Sequence, residues 1–162
     1  MSAKKHIVSA ISALCIFASA SASETETDEY ASGLDHWYAG AAAGLNLPAG
    51  DSALHRTGSG IIRFGWYAND FWALDFSLAQ CENVFAYSGG ALWHWWGYER
   101  LDPFFTFGLE DFIEKDCGPY LGTGTFWHFD DHWSLRCDMT AFSGLDHGGF
   151  LFSFSAGLRR SW

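Results

Sequence analysis

The chain has 162 residues, of which 49% are hydrophobic, 19% are aromatic and only 17% are charged, and its mean hydropathy is −0.02. A hydropathy near zero in a chain so rich in aromatic residues indicates that apolar residues alternate with polar ones along the chain. The formal net charge of −10 disfavours a nucleic-acid partner, because the phosphate backbone repels an acidic protein.

The N-terminal segment has the features of a signal peptide. Lys4 and Lys5 precede a short apolar stretch, residues 7–17, and residues 18–22 offer small side chains at the −3 and −1 positions of a cleavage site. We predict cleavage near the end of these small residues and therefore a signal peptide over residues 1–23. The alternative is a permanent helical anchor, but the apolar stretch is far shorter than the ~20 residues that a membrane-spanning helix needs.

The next segment, residues 24–35, begins with the acidic run Glu-Thr-Glu-Thr-Asp-Glu. Such a run offers little apolar surface to bury, so we predict a disordered lead-in. From there to the end, residues 36–162, the pattern changes to an alternation with a period of two. In the clearest stretch, large apolar residues from Trp72 to Leu78 alternate with small or charged ones. The sequence therefore predicts one all-β domain over residues 36–162.

Turn residues divide this domain into alternating stretches. We predict eight antiparallel strands in up-and-down order, over residues 36–47, 56–67, 71–80, 86–97, 103–111, 118–129, 132–142 and 150–162. The connections between them alternate between tight polar turns and longer loops. Transmembrane barrels have tight periplasmic turns and longer extracellular loops, so this asymmetry predicts that both termini lie on the periplasmic side.

The tryptophans test these strands independently. Eight of the nine lie near one edge of the predicted sheet. Seven of them define a predicted interfacial belt: Trp37, Trp66, Trp72, Trp95, Trp127, Trp133 and Trp162. Tryptophan concentrates at a membrane boundary because its ring prefers the apolar side and its N–H prefers water. The alternative is a soluble core, but a core would scatter the rings along the strands.

Several short segments carry a resemblance to a known family. They are residues 37–41, 103–109, 120–124, 133–136 and 155–162. Together with the strand pattern they resemble the small eight-stranded outer-membrane β-barrels, such as the OmpA membrane domain, OmpX and OmpW. The resemblance implies a monomeric transmembrane barrel in the bacterial outer membrane, surrounded by its lipids. Trp162, closing the last strand, is similar to the signal that the barrel assembly machinery reads.

The interior of an eight-stranded barrel is just wide enough for side chains to fill, so no open pore is expected. The charged and polar inward positions form a predicted internal network: Arg63, Asp75, His94, Glu110, Arg136, Asp138 and Arg159. If the turn between strands 2 and 3 centres on Asn69, Arg63 lies directly opposite Asp75. We therefore predict an ion pair between these two residues, which either fills the lumen or takes part in a proton or ion path.

Candidate catalytic residues lie near the predicted outer end of the barrel. Ser143, Asp146 and His147 share the last loop, and Ser88 lies near the outer end of strand 4. Lipid A deacylases and acyltransferases combine a serine, a histidine and an acid in this region, but the His-x-Ser-Asn type of signature of the deacylase is missing. We therefore predict no catalytic residues.

Metal and cofactor sites are not predicted either. The sequence has no glycine-rich phosphate loop, and four histidines are spread over different predicted strands and turns: His36, His55, His128 and His132. Cys81 and Cys117 lie at the predicted outer rim, and a disulfide between them stays open because their strands are not neighbours. Cys137 is expected to face lipid as a small apolar residue.

Three classes of function remain. The first is a structural or surface-interaction barrel of the cell envelope, and the second is a lipid A modifying enzyme. The third is a soluble lipocalin-like barrel that binds an apolar ligand. A lipocalin needs apolar residues inside, yet Arg63, Asp75 and Arg136 share the face opposite the aromatic residues. This inversion favours a membrane barrel, whose role the fold does not specify.

Overall fold

The computed structural model describes residues 37–50, 56–81, 83–95, 100–113, 116–144 and 149–162. These residues form eight strands: β1 Trp37–Ala49, β2 Thr57–Asn69, β3 Trp72–Cys81, β4 Val84–His94, β5 Leu101–Phe112, β6 Asp116–His128, β7 Trp133–Ser143 and β8 Phe150–Ser161. The predicted signal peptide and lead-in lie outside the described residues. Within those residues, no helix is long and apolar enough to cross a membrane.

The strands close into one antiparallel barrel in chain order. Each strand pairs with the next, and β8 returns to pair with β1 from Tyr38 opposite Ser161 to Ala49 opposite Phe150. The N–H of Trp162 then donates to the carbonyl oxygen of Trp37 at 3.1 Å. Because the sheet has no unpaired edge, it meets the condition for β-structure in hydrocarbon. The predicted all-β, eight-stranded up-and-down barrel is confirmed.

Alternation along each strand gives the barrel a mostly apolar exterior, whereas nearly all charged strand residues point inward, where packed apolar side chains accompany them. Ile62 and Leu121, on the outside, are 63% and 64% exposed. Asp75 and Arg136, on the inside, are buried. A soluble barrel has the opposite arrangement, because water would be in contact with its exterior. The exterior of this barrel is therefore suited to a lipid solvent.

The register between β2 and β3 differs from the prediction. Asp75 lies opposite Gly65, whereas Arg63 lies opposite Ser77. The ladder has an irregularity between Tyr67 and Asn69 that shifts the pairing. The turn itself lies at residues 70–71, because Asn69 pairs with Trp72. The side-chain oxygen of Asn69 accepts the N–H groups of residues 71 and 72 at 2.9 Å each.

The connections do not show the predicted difference in length between the two ends. At the end where β1 begins and β8 ends they span residues 70–71, 95–100 and 129–132, and at the opposite end they span residues 50–56, 82–83, 113–115 and 144–149. The predicted long loops after strands 3 and 5 are short because the ladders continue through Cys81 opposite Val84 and Phe112 opposite Asp116. Loop length therefore does not orient the barrel. We call the two ends the terminal end and the loop end.

Glycine lets a large ring lie against the wall of the lumen. A Cβ at Gly65 would lie 2.2 Å from Cζ of Tyr38 and 2.3 Å from the carbonyl oxygen of Leu74. Tyr120 has the same relationship to Gly90, where a Cβ would lie 2.3 Å from its hydroxyl oxygen. These glycines thus provide the space that two buried tyrosines occupy.

Candidate functional site in the barrel interior

An alternating row of charges lies in the centre of the lumen. Nη1 of Arg136 donates to Oδ2 of Asp75 at 2.9 Å, and Nε of Arg136 donates to Oδ2 of Asp138 at 2.6 Å. The hydroxyl of Tyr38 donates to Oδ1 of Asp75 at 2.6 Å. All four side chains are buried. Each charge is therefore stabilised by an opposite charge and by hydrogen bonds rather than by bulk water.

Arg63 extends this row across the lumen. Its Nη1 and Nη2 donate to the two carboxylate oxygens of Asp138 at 2.7 and 3.3 Å, and Nη2 also donates to Oγ of Ser155 at 3.1 Å. The hydroxyl of Ser155 donates to Oδ1 of Asp138 at 2.6 Å. The predicted ion pair between Arg63 and Asp75 is therefore wrong. The shifted register moves Asp75 away, and Arg63 pairs with Asp138 instead.

A cavity of about 50 Å³ lies beside the row of charges, toward the loop end. Its lining includes Ser77, Ser88 and Glu110. A buried water occupies about 10–15 Å³ in this measure, so the cavity has room for a few waters. Glu110 is a member of the predicted network, but the contacts of the described residues do not join it to the ion pairs.

A second polar cluster lies in the lumen near the terminal end. Nδ1 of His94 is 2.6 Å from Oδ2 of Asp102, and Nε2 of His128 is 3.9 Å from the same oxygen. All three residues are buried. His94 is a member of the predicted network, yet the structure places it in this cluster rather than with Arg136.

Asp102 and His128 are functional candidates that the sequence prediction missed. The prediction placed residue 102 in the turn before strand 5, whereas β5 begins at Leu101. Within β5 the residues Asp102, Phe104 and Thr106 are all buried on the inward face. Continuing the period of two by one step toward the N-terminus would therefore have identified Asp102.

Arg159 of β8 lies beside this second cluster. Its Nε donates to Oγ of Ser134 at 2.9 Å, and its Nη1 donates to the hydroxyl oxygen of Tyr67. The guanidinium carbon lies 4.0 Å from the centre of the Phe126 ring. Hydrogen bonds and cation–π contacts with aromatic rings thus stabilise this buried charge.

Apolar layers enclose the central charges on both sides. Toward the terminal end, Leu92 and Phe126 are both 0% exposed. Toward the loop end, Phe112, Phe142 and Leu151 pack in one buried cluster. The polar row and its small cavity therefore lie between two layers of packed side chains.

The candidate catalytic residues do not form a site that the structure can describe. Ser143 ends β7, but Asp146 and His147 lie outside the described residues. Ser88 faces the lumen, where its hydroxyl shares a hydrogen bond of 2.8 Å with Ser77.

Histidines and cysteines were the candidates for metal binding and for a disulfide. Among the residues that the structure describes, no group of three or more His, Cys, Asp or Glu residues could hold a metal ion. His132 is exposed, whereas His36 and His55 lie outside the described residues. Cys81 points into the lumen, where its Sγ accepts a hydrogen bond from Nδ2 of Asn46 at 3.2 Å.

The structure places Cys81 and Cys117 on opposite faces of the barrel wall. Cys81 belongs to the buried cluster inside the lumen, whereas alternation along β6 places Cys117 on the outward face with Leu121. Neither cysteine is part of a disulfide, so the pairing left open by the sequence is not formed. Cys137 is exposed on the outward face of β7, as expected.

The tryptophans of the predicted belt lie on the outer surface at the terminal end. Six of the seven are between 41% and 56% exposed, and the seventh, Trp66, is half-buried beside Trp37 with ring centres 6.5 Å apart. Trp93 was not in the predicted belt, but its ring lies 6.5 Å from that of Trp72 and 5.5 Å from that of Trp95.

The turn between β6 and β7 holds an exposed carboxylate at this end. Oδ1 of Asp130 accepts the backbone N–H groups of His132 and Trp133 at 2.8 and 2.7 Å. These hydrogen bonds favour the charged form, so they lower the pKa of Asp130 below its usual value. The carboxylate thereby satisfies two backbone donors that the tight turn leaves unpaired.

Comparisons with known proteins show which folds this barrel is similar to. No protein-family model and no curated protein sequence matches the chain. A de novo designed transmembrane β-barrel is 12% identical over 85% of this chain and 100% of that chain, with a TM-score of 0.63. Neisserial surface protein A is 16% identical over 78% of this chain and 97% of that chain, with a TM-score of 0.62.

A third similar structure is Ail, the attachment invasion locus protein of Yersinia pestis. It is 10% identical over 80% of this chain and 100% of that chain, with a TM-score of 0.60. At these identities the likeness concerns the fold alone. The resemblance to small eight-stranded outer-membrane barrels is thus confirmed at the level of the fold, which is that of a transmembrane β-barrel.

Proposed function

We propose that this chain is a monomeric barrel of the bacterial outer membrane with a structural or surface-interaction role. The proposal rests mainly on the inverted exterior of the barrel, which is mostly apolar, while nearly all charged strand residues lie inside. A membrane supplies the only solvent in which such an exterior is favourable without a protein partner. Its partners are then the outer-membrane lipids and, during biogenesis, the barrel assembly machinery.

The height of the apolar surface supports this proposal. Phe85 and Tyr87 are exposed at the loop end of β4, and Trp93 and Trp95 are exposed at its terminal end. About ten residues separate Phe85 from Trp95, which matches the ~9–11 residues that a tilted strand needs to cross a bilayer. Aromatic residues thus lie at both expected boundaries of the hydrocarbon.

Both termini are proposed to face the periplasm. The predicted signal peptide would deliver the unfolded chain to that compartment. The acidic lead-in, residues 24–35, would then stay on the side of delivery, whereas the opposite orientation would carry its charges across the hydrocarbon. The proposed orientation of the barrel thus rests on the free-energy cost of moving these acidic residues across the hydrocarbon, because the loop lengths do not distinguish the two ends.

The lumen is proposed to be closed and without catalytic activity. The packed layers around Phe126 and Phe142 support a lumen that conducts no ions. The inward position of Ser88 supports the absence of a hydrolase site that reaches lipid from the outer leaflet. The internal charges then serve to fill and stabilise the barrel.

Fractionation of cells that express the full chain tests the proposal. We expect the protein in the outer-membrane fraction, and we expect the unboiled protein to migrate differently from the boiled protein in a detergent gel, because the closed ladder resists unfolding. Recovery as a soluble periplasmic protein without this gel shift would overturn the proposal in favour of the lipocalin-like alternative.

A further inference from the structure

Charged residues are rare on the outward face of the strands. Among the outward positions of the eight described strands, alternation places one acidic residue, Asp111 of β5, and one basic residue, Arg160 of β8. They lie at opposite ends of the barrel. Asp111 is buried and accepts a hydrogen bond of 2.5 Å from the hydroxyl of Tyr87. The protein therefore provides a polar partner for the acidic residue at the loop end.

Arg160 has a different environment, at the terminal end. Its guanidinium carbon lies 5.7 Å from the centre of the Trp133 ring, and the side chain is exposed. None of the ion pairs found among the described residues includes Arg160. On its other side, the register partner in β1 is Ala39, whose side chain is a single methyl group. Two residues beyond Ala39 and Arg160 on the same face lie Trp37 and Trp162, both exposed and joined by the hydrogen bond from the N–H of Trp162 to the carbonyl oxygen of Trp37.

This setting favours an anionic ligand from the membrane. The tryptophan belt marks the boundary at which lipid headgroups lie. A guanidinium presents several N–H donors in a planar fork that matches two phosphate oxygens, and a ring on one side restricts its orientation. An arginine at this depth, with no carboxylate partner among the described residues, therefore has the chemistry of a headgroup phosphate site.

We propose that Arg160, exposed between Trp133 and the small side chain of Ala39, binds the phosphate of an anionic phospholipid at the terminal end of the barrel. The site rests on the proposed function, because it requires that the barrel lie in a membrane. A lysine in the same place would provide the charge but not the bidentate geometry.

Titration of the detergent-refolded barrel with phosphatidylglycerol tests the site, with bound lipid per barrel measured by native mass spectrometry. We expect Arg160→Gln to raise the apparent Kd about tenfold, the loss of one charged contact. Arg160→Lys should lie between this variant and the parent. The matched control is Arg56→Gln, which removes an exposed arginine just before β2 at the loop end and should leave the Kd unchanged.

Two outcomes would overturn the site. One is an equal Kd for the parent and Arg160→Gln, and the other is displacement of phosphatidylglycerol by an equal concentration of inorganic phosphate, which would indicate a free-anion site. The heat-dependent gel shift is recorded for each variant. A barrel that folds and shifts but binds lipid without Arg160 refutes this inference alone, whereas a chain that never inserts refutes the proposed function.

Discussion

Arg63 and Asp138 pair across the lumen, with Nη1 of the guanidinium 2.7 Å from Oδ2 of the carboxylate. Their strands, β2 and β7, are not neighbours, because β8 and β1 lie between them in the closed sheet. The backbone ladder therefore does not join these two parts of the wall directly. The ion pair provides that connection through the interior.

Removing the carboxylate of this pair should destabilise the barrel strongly. Asp138→Ala removes the carboxylate that binds both Arg63 and Arg136. We therefore expect a loss of ~3–5 kcal/mol in the free energy of unfolding. Urea titration in lipid vesicles measures it. A double-mutant cycle should show stronger coupling between Arg63 and Asp138 than between Arg63 and Asp75. The reverse order would contradict the register described above.

The architecture could be predicted from the sequence because a period of two persists in every strand. Each strand needs one lipid-facing side, so a stretch such as Trp72 to Leu78 fixes which side chains point outward. The pairing register could not be predicted in the same way. The β2–β3 register is centred near residue 70 rather than residue 69, so the pairing differs from the prediction by two positions. A difference of two positions changes the partner of Arg63 but leaves every side chain on its predicted face.

Strand ends account for the other failures. Polar residues in a barrel occur both in turns and on the inward face, so Asp102 could not be assigned to one of them by its chemistry alone. For the same reason, longer loops were predicted around Cys81 and Asp116, although both residues belong to the paired strands. Side-chain partners across the lumen depend on both register and strand ends, so they were the least predictable part of the site.

The close contact of Gly65 with Tyr38 can be tested by adding one methyl group. In Gly65→Ala the new Cβ would meet the Tyr38 ring and a backbone oxygen, so we expect a destabilisation of ~1–3 kcal/mol from overpacking. Gly60→Ala is the matched control, because a Cβ at Gly60 has no atom within 4 Å and faces outward. Urea titrations of the two variants should differ by most of this amount. Similar stability of the two would show that Tyr38 does not lie against the wall at Gly65.

The buried carboxylate of Asp102 should stabilise the barrel through His94. Asp102→Asn keeps the shape of the side chain but removes its charge, and a hydrogen bond to a charged group contributes ~1.5–3 kcal/mol. We expect a loss in that range by urea titration at neutral pH. Asp70→Asn, which changes a turn residue at the same end, serves as the control and should stay within ~0.5 kcal/mol of the parent. Equal stability of the two variants would contradict a structural role for the His94 contact.

The turn carboxylate of Asp130 should make a pH-dependent contribution. Its pKa is lowered in the folded chain, so its stabilisation is fully present above the unfolded pKa of ~3.9 and is lost as the pH falls through the lower folded pKa. We expect Asp130→Ala to be less stable than the parent at pH 7 and nearly equal to it well below pH ~3. Urea midpoints at the two pH values measure this. If the urea midpoints of Asp130→Ala and the parent differed by the same amount in acid, the stabilisation would not depend on the charge of the carboxylate.

The cost of an outward charge should depend on its depth in the membrane. Phe76 lies in the middle of β3 on the outward face, and Gln80 lies on the same face four residues closer to the loop end. In a lipid bilayer an arginine near the midplane costs ~2–4 kcal/mol, whereas one near the interface costs ~0–1 kcal/mol. We therefore expect Phe76→Arg to lower the free energy of unfolding in vesicles much more than Gln80→Arg. Because the variants share one strand, one face and one added charge, equal costs would show that no hydrocarbon layer surrounds β3.

Loss of the aromatic ring also contributes to the effect of Phe76→Arg, and Phe76→Ala measures that contribution separately. The difference between Phe76→Arg and Phe76→Ala in the free energy of unfolding then reports the cost of placing the charge in hydrocarbon. This difference should disappear if the folded protein is water-soluble and its exterior contacts no lipid.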